Sequence, residues 1–565
     1  MAKKFINEAP DCVEEMVQGI LAVHSDRMVR LEGYHVLLHK DITTLKSAQV
    51  TLLSGGGSGH EPAHAGYIGD GMLSGAVLGG VFASPSIASI YAAICAAAGS
   101  HGVLLIVKNY TGDRINFGQA ALMAKSELGI AVEMVVVADD SALPEGKGIT
   151  GGRGVAGTVF VHKAAGAAAA AGLSLAAVAG VAREAANAVR TLGTALTTCT
   201  VPGTMPSDRL DSVTMEMGLG IHGEPGLKQM KVVPCAAIVS EMLQVIWDRM
   251  GPRKPEKVAL LINNLGGTPL LEMYVVANDA VKFVKESLGA DPVRVLVGPF
   301  MTSLEMQGVS LSLLAVDDPL LLARIDAPTN ASAWLPPSTS SPEARPLINV
   351  VPAPAKFNDG DSSGTSSAKG AHGISVGVVN AICTALDDAE TRLTAWDQVA
   401  GDGDCGITFK RGAKQVAANV TSYPLNDDAA TFGAIADSIS ASMGGTSGAL
   451  LEIFFRAGKV HLLENPRDFK GAFSEGSMAI KSIGGADEGM RTMLDALLPA
   501  SRVLVAGGSW KNAVEAAEAG SKATMEMEAL AGRSNYISKE LLSTVPDPGA
   551  MAVAIALRAG LDAAK

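Results

Sequence analysis

The sequence predicts a protein with an α/β N-terminal domain and an all-α C-terminal domain. Two patterns indicate this fold class. In the first 335 residues short β-branched runs alternate with longer Ala-rich helical patterns, whereas after residue 373 apolar residues recur at helical spacing. Residues 336–372 are rich in Pro, Ser, Gly and Ala, which is typical of a flexible linker. We therefore expect domains at residues 1–335 and 373–565.

Several apolar runs in the N-terminal domain end in a polar or glycine-rich loop. Four of them are predicted strands, at residues 50–53, 103–107, 134–137 and 258–262. Ligands of α/β folds bind at the carboxyl ends of strands, so the loops that follow are candidate site walls. In the C-terminal domain the spacing predicts one face of an amphipathic helix, formed by Val379, Ile382, Leu386, Ala389, Leu393 and Trp396.

Composition and charge exclude several functional classes. Hydrophobic residues make up 48% of the chain and charged residues 18%, which is typical of a globular protein. A net charge of −12 provides no basic field for nucleic acid or an anionic membrane. The uncharged stretches 71–107 and 164–182 are broken by Gly and Pro or consist mostly of Ala and Gly. We interpret them as interior helices and strands and not as membrane spans.

Two features indicate a cytoplasmic protein. The first 16 residues lack the apolar stretch of a secretion signal. The six cysteines include no CxxC pair, which argues against a zinc ribbon or a disulfide framework. A reducing compartment is therefore expected.

Residues 54–62, with the sequence SGGGSGHEP, form the first candidate binding loop. Consecutive glycines let backbone N–H groups approach a small ligand closely. The loop lacks the Lys of a phosphate-binding P-loop. The HExxH pattern from His60 to His64 contains Pro62, which does not fit the helix of a zinc protease. A plain glycine turn remains the alternative.

Two further residues have side chains suited to carbonyl and hydroxyl chemistry. Asp113 follows the second predicted strand, and parallel neighbouring strands would bring it near His60, where the pair could orient a hydroxyl and take its proton. A surface ion pair between Asp113 and Arg114 is the alternative. His222 has glycines on both sides, and a neutral imidazole can add to a ketone or aldehyde carbon. A histidine that satisfies a core hydrogen bond would look the same in sequence.

The strongest metal signal is the group of Asp397, Asp402 and Asp404, three carboxylates within eight residues. Oxygen ligands favour Mg²⁺, which commonly bridges carboxylates and nucleotide phosphates. The spacing does not match an EF-hand, because Ile407 and Ala413 occupy positions that need Gly and Glu. A solvated acidic loop is the alternative. Residues 442–448 then open another helical run, where hydroxyls and amides predict either an anion site or a simple helix cap.

These motifs, in this order, resemble the dihydroxyacetone kinase family in its ATP-dependent, fused two-domain form, which includes the triokinase/FMN cyclases. The first domain carries GGGSGHEPAHAGY, IVKNYTGD, GLGIHGEPG and NNLGG, and the second carries GDGDCG, MGGTSGAL, RTMLDAL and PDPGA. The resemblance covers both domains and the linker. It implies two α/β subdomains in the first domain and an all-helical barrel that binds nucleotide in the second.

For the first domain, the resemblance implies phosphorylation of dihydroxyacetone or glyceraldehyde to the triose phosphate. His222 would form a hemiaminal with the substrate carbonyl, while Asp113 and His60 would act as acid and base on the reacting hydroxyl. Substrate contacts are expected at Gly57, Ser58, Gly59, His60, Lys108 and Asp113.

For the second domain, the resemblance implies that Asp397, Asp402 and Asp404 hold Mg²⁺ on ATP. Nucleotide contacts are expected at Asp404, Cys405, Gly406, Ile407, Thr446, Ser447, Gly484, Arg491, Thr492, Asp547, Pro548 and Gly549. Two positions depart from the family pattern: Ile407 stands where Thr is frequent, and Met490 replaces the Asp of GDRT.

The resemblance also carries alternatives. Family members can cleave FAD to cyclic FMN and AMP at the nucleotide site with Mn²⁺, and the sequence does not separate a kinase from a bifunctional enzyme. A non-enzymatic sensor of small carbonyl compounds is a further alternative, but a sensor has no need of a metal and nucleotide site. The resemblance implies a homodimer in which the substrate domain of one chain meets the nucleotide domain of the other.

Overall fold

The computed structural model describes residues 3–142, 151–207, 209–252, 254–335, 373–531 and 533–565. The chain divides into two compact units, Met1–Ala353 and Pro354–Lys565. The predicted linker at 336–372 lies outside the described residues, so its flexibility stays a prediction.

The first unit contains two six-stranded sheets. The first sheet has the order β1-β2-β4-β3-β5-β6, and its last four strands run parallel. Its strands are β1 (Met28–Arg30), β2 (Val36–His39), β3 (Thr51–Ser58), β4 (Gly75–Val81), β5 (Val103–Lys108) and β6 (Val132–Val137).

The second sheet has the order β11-β10-β12-β7-β8-β9, with one parallel pair, β10 and β11. Its strands are β7 (Val189–Ala195), β8 (Thr214–Met217), β9 (Lys228–Lys231), β10 (Lys257–Asn264), β11 (Asp291–Gly298) and β12 (Gly308–Ala315). The four runs predicted as strands are thus strands β3, β5, β6 and β10, and the α/β prediction is confirmed.

The described part of the first unit also contains nine α-helices, most of which pack against these sheets. They are α1 (Cys12–His24), α2 (Ile42–Ala48), α3 (Ile87–Ala97), α4 (Thr111–Leu128), α5 (Thr158–Ala170), α6 (Leu175–Ala188), α7 (Cys235–Arg249), α8 (Leu270–Glu286) and α9 (Pro319–Asp326). The uncharged stretches 71–107 and 164–182 contribute β4, α3, most of β5 and parts of α5 and α6 to the interior. Among the described residues, no helix is long and apolar enough to cross a membrane.

A buried aspartate joins the two sheets. The carboxylate of Asp139 accepts hydrogen bonds from the Thr191 hydroxyl at 2.6 Å and from the N–H groups of Val155 and Gly157 at 2.8 Å each. The next residue, Asp140, forms an isolated β-bridge with Thr191. Because these bonds span the segment after β6 and the strand β7, they fix the edge of one sheet against the other.

The expected loop at residues 54–62 is a strand in its first half, and here the prediction was wrong. Strand β3 continues through Gly55, Gly56 and Gly57 to Ser58. A side chain would not fit there, since a Cβ on Gly55 would lie 2.3 Å from the Val77 carbonyl oxygen and one on Gly57 would lie 2.6 Å from the Ala83 nitrogen. The glycines therefore admit neighbouring backbone to the strand, and the turn begins at Gly59 (φ 104°).

The described part of the second unit is entirely helical apart from turns, which confirms the all-α prediction. Its helices are α10 (Val376–Asp388), α11 (Glu390–Ala400), α12 (Cys405–Asn419), α13 (Asp428–Ser442), α14 (Gly445–Glu464), α15 (Phe469–Gly484), α16 (Leu494–Val505), α17 (Trp510–Ala523), α18 (Lys539–Leu542) and α19 (Pro548–Ala563). The predicted amphipathic face at 379–396 is shared by two helices and not one, because the chain breaks at Ala389. Apolar faces of this unit surround a cavity of about 600 Å³.

Candidate active site residues in the two units

Three predicted residues of the first unit lie at the carboxyl edge of its parallel strands. His60 follows β3, Lys108 ends β5, and Asp113 lies in the first turn of α4. Strands β3 and β5 are parallel neighbours, so the expectation that they bring His60 and Asp113 to one edge is met. Asp113 is only 4% exposed and is therefore not a surface residue.

His60 and His222 are in direct contact. Their Nε2 atoms lie 3.1 Å apart, and their rings meet edge to face. The other ring nitrogen of His60, Nδ1, donates to the Thr302 carbonyl oxygen at 2.8 Å. Burial, followed by the charges of Lys108 and His222, holds the pKa of His60 well below its usual range. His60 is consequently neutral and available as a base at neutral pH.

His222 lies in the loop between β8 and β9, where Glu224 bonds to it. The Oε1 atom of Glu224 is 2.8 Å from Nδ1 of His222. Burial raises the pKa of Glu224, but the hydrogen bond from His222, the charge of His222 and the backbone hydrogen bonds together outweigh burial and lower that pKa to about 2. Two arginines hold the loop, since Arg153 donates to the Gly218 carbonyl at 2.7 Å and Arg209 to the Gly223 carbonyl at 2.9 Å.

Aromatic rings enclose the imidazole of His222. Phe82 and Tyr110 both meet it edge to face, with ring centroids 4.9 and 4.7 Å away. Phe82 also stacks on His60. The side chain of His222 is still 20% exposed, so the ring can be reached from one direction. The rings therefore shield the imidazole from water on the faces that they cover.

Lys108 and Asp113 face the glycine strand together. A Cβ added to Gly56 would lie 3.6 Å from the Lys108 Nζ and 3.5 Å from Oδ2 of Asp113. Burial raises the pKa of Asp113, and Lys108 acts in the opposite direction. Within the described chain, Oδ1 of Asp113 is buried without a hydrogen-bond partner. An unsatisfied carboxylate oxygen at this edge is suited to bind a substrate hydroxyl.

The other predicted substrate contacts have structural partners. The Ser58 hydroxyl donates to the Gly79 carbonyl at 2.7 Å, and the Gly59 N–H donates to Glu61 at 2.9 Å. Gly57 lies against the backbone of Phe82. These three residues shape the edge of the site, and their direct contact with substrate stays a prediction.

In the second unit the three predicted carboxylates converge. One oxygen each from Asp397, Asp402 and Asp404 lie within 4.8 Å of one another. Asp397 is buried, and its Oδ2 accepts the N–H groups of Asp404 at 2.8 Å and Cys405 at 3.0 Å. A Cβ on Gly401 would lie 2.4 Å from Oδ1 of Asp397, so the glycine leaves room for this carboxylate. The donor set fits Mg²⁺, which prefers carboxylate oxygens and keeps part of its water.

Arg491 and Asp547 extend this cluster. The Arg491 Nη1 lies 3.9 Å from the Asp547 carboxylate, while Nη2 donates to the Val545 carbonyl at 2.8 Å. Among the described residues, Nε and Nη1 of Arg491 are buried without hydrogen-bond partners. Burial raises the pKa of Asp547 to about 6, with Asp397 contributing in the same direction. Orphaned guanidinium donors beside carboxylates are suited to a phosphate held together with a metal ion.

Arg491 is presented by a strained loop. Its φ of 62° is in the left-handed region, and Asp495 holds the residues on either side by accepting the N–H of Gly489 and, at 2.7 Å, that of Thr492. Met490 lies in this loop, and its sulfur accepts the Asp487 N–H. No polar group of the Met490 side chain can replace the Asp found in GDRT.

The remaining predicted nucleotide contacts lie at helix termini. They are Gly406 and Ile407 in the first turn of α12, Thr446 and Ser447 in the first turn of α14, Gly484 at the end of α15, and Pro548 and Gly549 at the start of α19. Gly406 packs against α11, where a Cβ would lie 2.1 Å from the Glu390 carbonyl. Ile407 is 50% exposed. Their contact with a nucleotide stays a prediction.

Sequence reasoning missed several residues of these sites. Glu224 and Asp495 lie within the motifs that were identified, so a search for carboxylates beside the motif histidine and arginine would have found them. Tyr110 also lies within an identified motif, IVKNYTGD, whereas Phe82 and Thr302 reach His60 through the fold and no local pattern marks them.

Two family models match the chain in sequence. The model described as the Dak1 domain matches residues 18–333, and the model described as the DAK2 domain matches residues 399–562. Together they cover the α/β unit and most of the helical unit.

Relatives match over the full length. The chain is 44% identical to a protein named putative 3,4-dihydroxy-2-butanone kinase from Solanum lycopersicum, covering 100% of this chain and 98% of the relative. It is 43% identical to the triokinase/FMN cyclase of Rattus norvegicus, and the match covers 99% of this chain and 98% of the relative. It is also similar to the crystal structure of the dihydroxyacetone kinase from C. freundii in complex with AMP-PNP and Mg²⁺, with a TM-score of 0.64, 35% identity and 99% coverage of both chains.

Proposed function

Because the chain belongs to the dihydroxyacetone kinase family and carries its Dak1 and DAK2 domains in one polypeptide, we propose that it transfers the γ-phosphoryl group of ATP to dihydroxyacetone. Glyceraldehyde is a second substrate, and the product is the triose phosphate. The observation that carries this proposal is the pairing of two complete sites, His60 with His222 in the α/β unit and three converging carboxylates in the helical unit.

The first site solves a binding problem. Dihydroxyacetone has too few atoms for high non-covalent affinity, so a covalent hemiaminal with His222 would hold it in place. His60, which is neutral, takes the proton of the reacting hydroxyl, and Asp113 orients that hydroxyl beside Lys108. The tether also discriminates against glycerol, which has no carbonyl carbon to form it.

The second site binds the nucleotide. Asp397, Asp402 and Asp404 would hold Mg²⁺, which neutralises charge on the phosphates. Arg491 lies beside Asp547 with two donors that have no hydrogen-bond partner within the described residues, and Asp495 fixes its loop. The helix termini that bear Thr446 and Pro548 present backbone N–H groups of the kind that bind phosphate.

The proposal is tested with a coupled assay of ADP release in the presence of Mg²⁺ and dihydroxyacetone. Wild type is expected to turn over, and Asp402→Ala is expected to lose at least ~100-fold in turnover because the metal site is broken. Asp437→Ala, on the exposed face of α13, serves as the control. Absence of turnover with both dihydroxyacetone and glyceraldehyde would leave a non-enzymatic carbonyl sensor as the better reading.

A second activity at the nucleotide site is the cleavage of FAD to cyclic FMN and AMP with Mn²⁺. The name of the rat relative, triokinase/FMN cyclase, favours testing it. Incubation of the full chain with FAD and Mn²⁺, followed by chromatography, should yield cyclic FMN in wild type and none in Asp402→Ala. If wild type yields none, the chain is a kinase only.

Two further properties complete the proposal. The chain acts as a homodimer, which sedimentation or size-exclusion chromatography with light scattering would test against the 57.7 kDa mass of one chain. It acts in the cytoplasm, in keeping with its cysteines, all six of which are unpaired.

A further inference from the structure

Glu224 makes two hydrogen bonds with His222. Its Oε1 lies 2.8 Å from the ring Nδ1, and its Oε2 accepts the backbone N–H of His222 at 3.0 Å. A carboxylate can only accept hydrogen bonds, so Nδ1 carries a proton. In a neutral imidazole with its proton on Nδ1, the lone pair is on Nε2, the nitrogen that faces His60. The contact therefore selects one tautomer.

The position of the ring proton on His60 is also fixed. The Thr302 carbonyl requires a proton on Nδ1 of His60, so the Nε2 of neutral His60 is an acceptor. In the neutral pair both Nε2 atoms are therefore acceptors, and at a separation of 3.1 Å they can take up one proton between them. Once that proton is taken up, the two rings share a single positive charge, which the negative charge of Glu224 balances.

We propose that Glu224 is a positioning residue, which holds His222 in the tautomer whose Nε2 attacks the substrate carbonyl and balances the charge that the attack leaves on the ring. This inference rests on the proposed hemiaminal. Glu224 does not touch the substrate and acts through His222 alone, as the aspartate of a serine-protease triad acts through its histidine.

The step balances without another reactant. The lone pair on Nε2 forms the bond to the carbonyl carbon, the π pair of the carbonyl moves onto oxygen, and the proton shared by the two Nε2 atoms passes to that oxygen. The ring of His222 now bears the positive charge, and its Nδ1–H remains bonded to the Glu224 carboxylate. His60 is left neutral with a free Nε2, the form needed to accept a proton from the reacting hydroxyl.

The fold holds Glu224 in place. Gly220 donates its N–H to the Glu224 carbonyl at 2.9 Å, and a Cβ on Gly220 would lie only 1.9 Å from Glu224 Oε2. The guanidinium of Arg153 also lies against Gly220 and bonds to Asp140 at 2.6 Å. The glycine therefore leaves room for the carboxylate, and the arginine adds a positive charge close to it.

The test compares three variants of the full chain. Glu224→Ala removes both the acceptor and the charge, whereas Glu224→Gln keeps an oxygen acceptor for Nδ1–H and removes only the charge. Glu216→Gln is the matched control, because Glu216 lies on the neighbouring strand and binds Arg209 and the Gly226 N–H, each at 2.6 Å, without touching His222. Loss of loop structure alone would affect Glu216→Gln as strongly as the Glu224 variants.

Two readouts separate positioning from folding. The KM for dihydroxyacetone is expected to rise ~100-fold in Glu224→Ala, with a smaller rise in Glu224→Gln and little change in Glu216→Gln. The ¹⁵N resonances of His222, assigned by their loss in His222→Ala, report which ring nitrogen is protonated and do not depend on turnover. The Nδ1–H form is expected in wild type, Glu216→Gln and Glu224→Gln, and a shift to Nε2–H in Glu224→Ala.

The outcomes distinguish this inference from the proposed function. If wild type phosphorylates dihydroxyacetone and Glu224→Ala matches Glu216→Gln in both KM and ring protonation, the role of Glu224 is overturned and the kinase stands. If wild type shows no turnover but Glu224→Ala alone changes the ring protonation of His222, the kinase proposal fails and the role of Glu224 in setting the tautomer is supported.

Discussion

The ring of Phe82 stacks on the imidazole of His60, with 5.0 Å between the ring centroids and 18° between the ring planes. Its backbone is strained to reach this position, since φ is 54°. Leu304, with a φ of 53°, also packs against Gly59, where an added Cβ would lie 2.8 Å from the Phe82 ring and 3.2 Å from the Leu304 side chain. Of the four non-glycine residues with positive φ in the described chain, two thus pack against the glycine that precedes His60. Strain of this kind concentrates at functional sites.

Replacing Phe82 should impair the site more than the fold. Phe82→Ala removes a stacking contact worth about 1 kcal/mol, so we expect kcat/KM for dihydroxyacetone to fall by roughly fivefold. Phe82→Gly should lose similar activity but unfold at no lower temperature than Phe82→Ala, because glycine adopts a positive φ freely. Steady-state kinetics and thermal unfolding check both points; unchanged kcat/KM in both variants contradicts a role for the ring.

Replacing His222 should remove discrimination between a ketone and an alcohol. In His222→Ala the kcat/KM for dihydroxyacetone is expected to fall at least ~100-fold, while the value for glycerol stays near its low wild-type level, because glycerol never uses the tether. ADP release measured with each compound gives the ratio. An equal loss for both compounds would mean that His222 supports the structure of the site and not the tether.

Reducing the charge of the carboxylate cluster should weaken its affinity for metal. Asp397→Asn keeps an oxygen for the N–H groups of Asp404 and Cys405 but loses one negative charge. The Mg²⁺ concentration for half-maximal activity should rise by roughly tenfold or more, since this corresponds to about 1.4 kcal/mol. Titration of Mg²⁺ at fixed ATP measures the shift. Asp437→Asn, which pairs with Arg456 on the surface, should leave the midpoint unchanged.

The buried carboxyl of Asp547 should make the helical unit less stable as pH rises. Its folded-state pKa is raised to about 6, above the unfolded value of 3.8, so the folded state holds this proton more tightly. The resulting stabilisation is complete below about pH 4 and is lost as pH rises through 6, by at most about 3 kcal/mol. Thermal unfolding of Asp547→Asn between pH 4 and 7 should show a smaller decline than wild type.

The matched control for that experiment is Asp427→Asn. Asp427 caps α13 through the Ala430 N–H at 2.9 Å, as Asp547 caps α19 through the Ala550 N–H at 2.8 Å, but it is exposed. We expect its pH dependence to match wild type. If both variants flatten the curve equally, helix capping and not the buried carboxyl is responsible.

Asp495 should affect ATP binding without affecting the triose. Asp495→Ala leaves the N–H groups of Gly489 and Thr492 without their acceptor and frees the loop that presents Arg491. The KM for ATP is expected to rise by about tenfold while the KM for dihydroxyacetone changes little. Varying each substrate in turn measures both values, and a parallel rise in the two constants would contradict this role.

The sequence was most informative where function depends on local motifs. Asp397, Asp402 and Asp404 are separated by glycines within eight residues, so the same spacing that identified them also brings their oxygens together. His60 and Asp113 could be placed at one sheet edge because parallel strands order their carboxyl ends. The fold class of each domain was also predicted from a local pattern, because hydrophobic periodicity distinguishes helices from strands.

Other features depend on contacts that no local pattern records. Thr302 reaches His60 from a loop more than 240 residues later, and its backbone carbonyl makes the contact, so its side-chain type carries no signal. The glycine run at 55–57 looks like a loop in sequence, but Val77 and Phe82 approach its backbone and keep it in the sheet. The break at Ala389 lies within an unbroken helical periodicity and could not have been predicted from it.

Strands β3 and β8 belong to different sheets, and each delivers one of the two imidazoles that meet at 3.1 Å. Neither sheet alone contains both, so a fragment that folds only one of the sheets lacks one imidazole of the pair. We therefore expect substitutions near the contact between His60 and His222 to be coupled between the two sheets during evolution. A recombination point between β6 and β7 is tolerated only when both parents preserve the distance between His60 and His222.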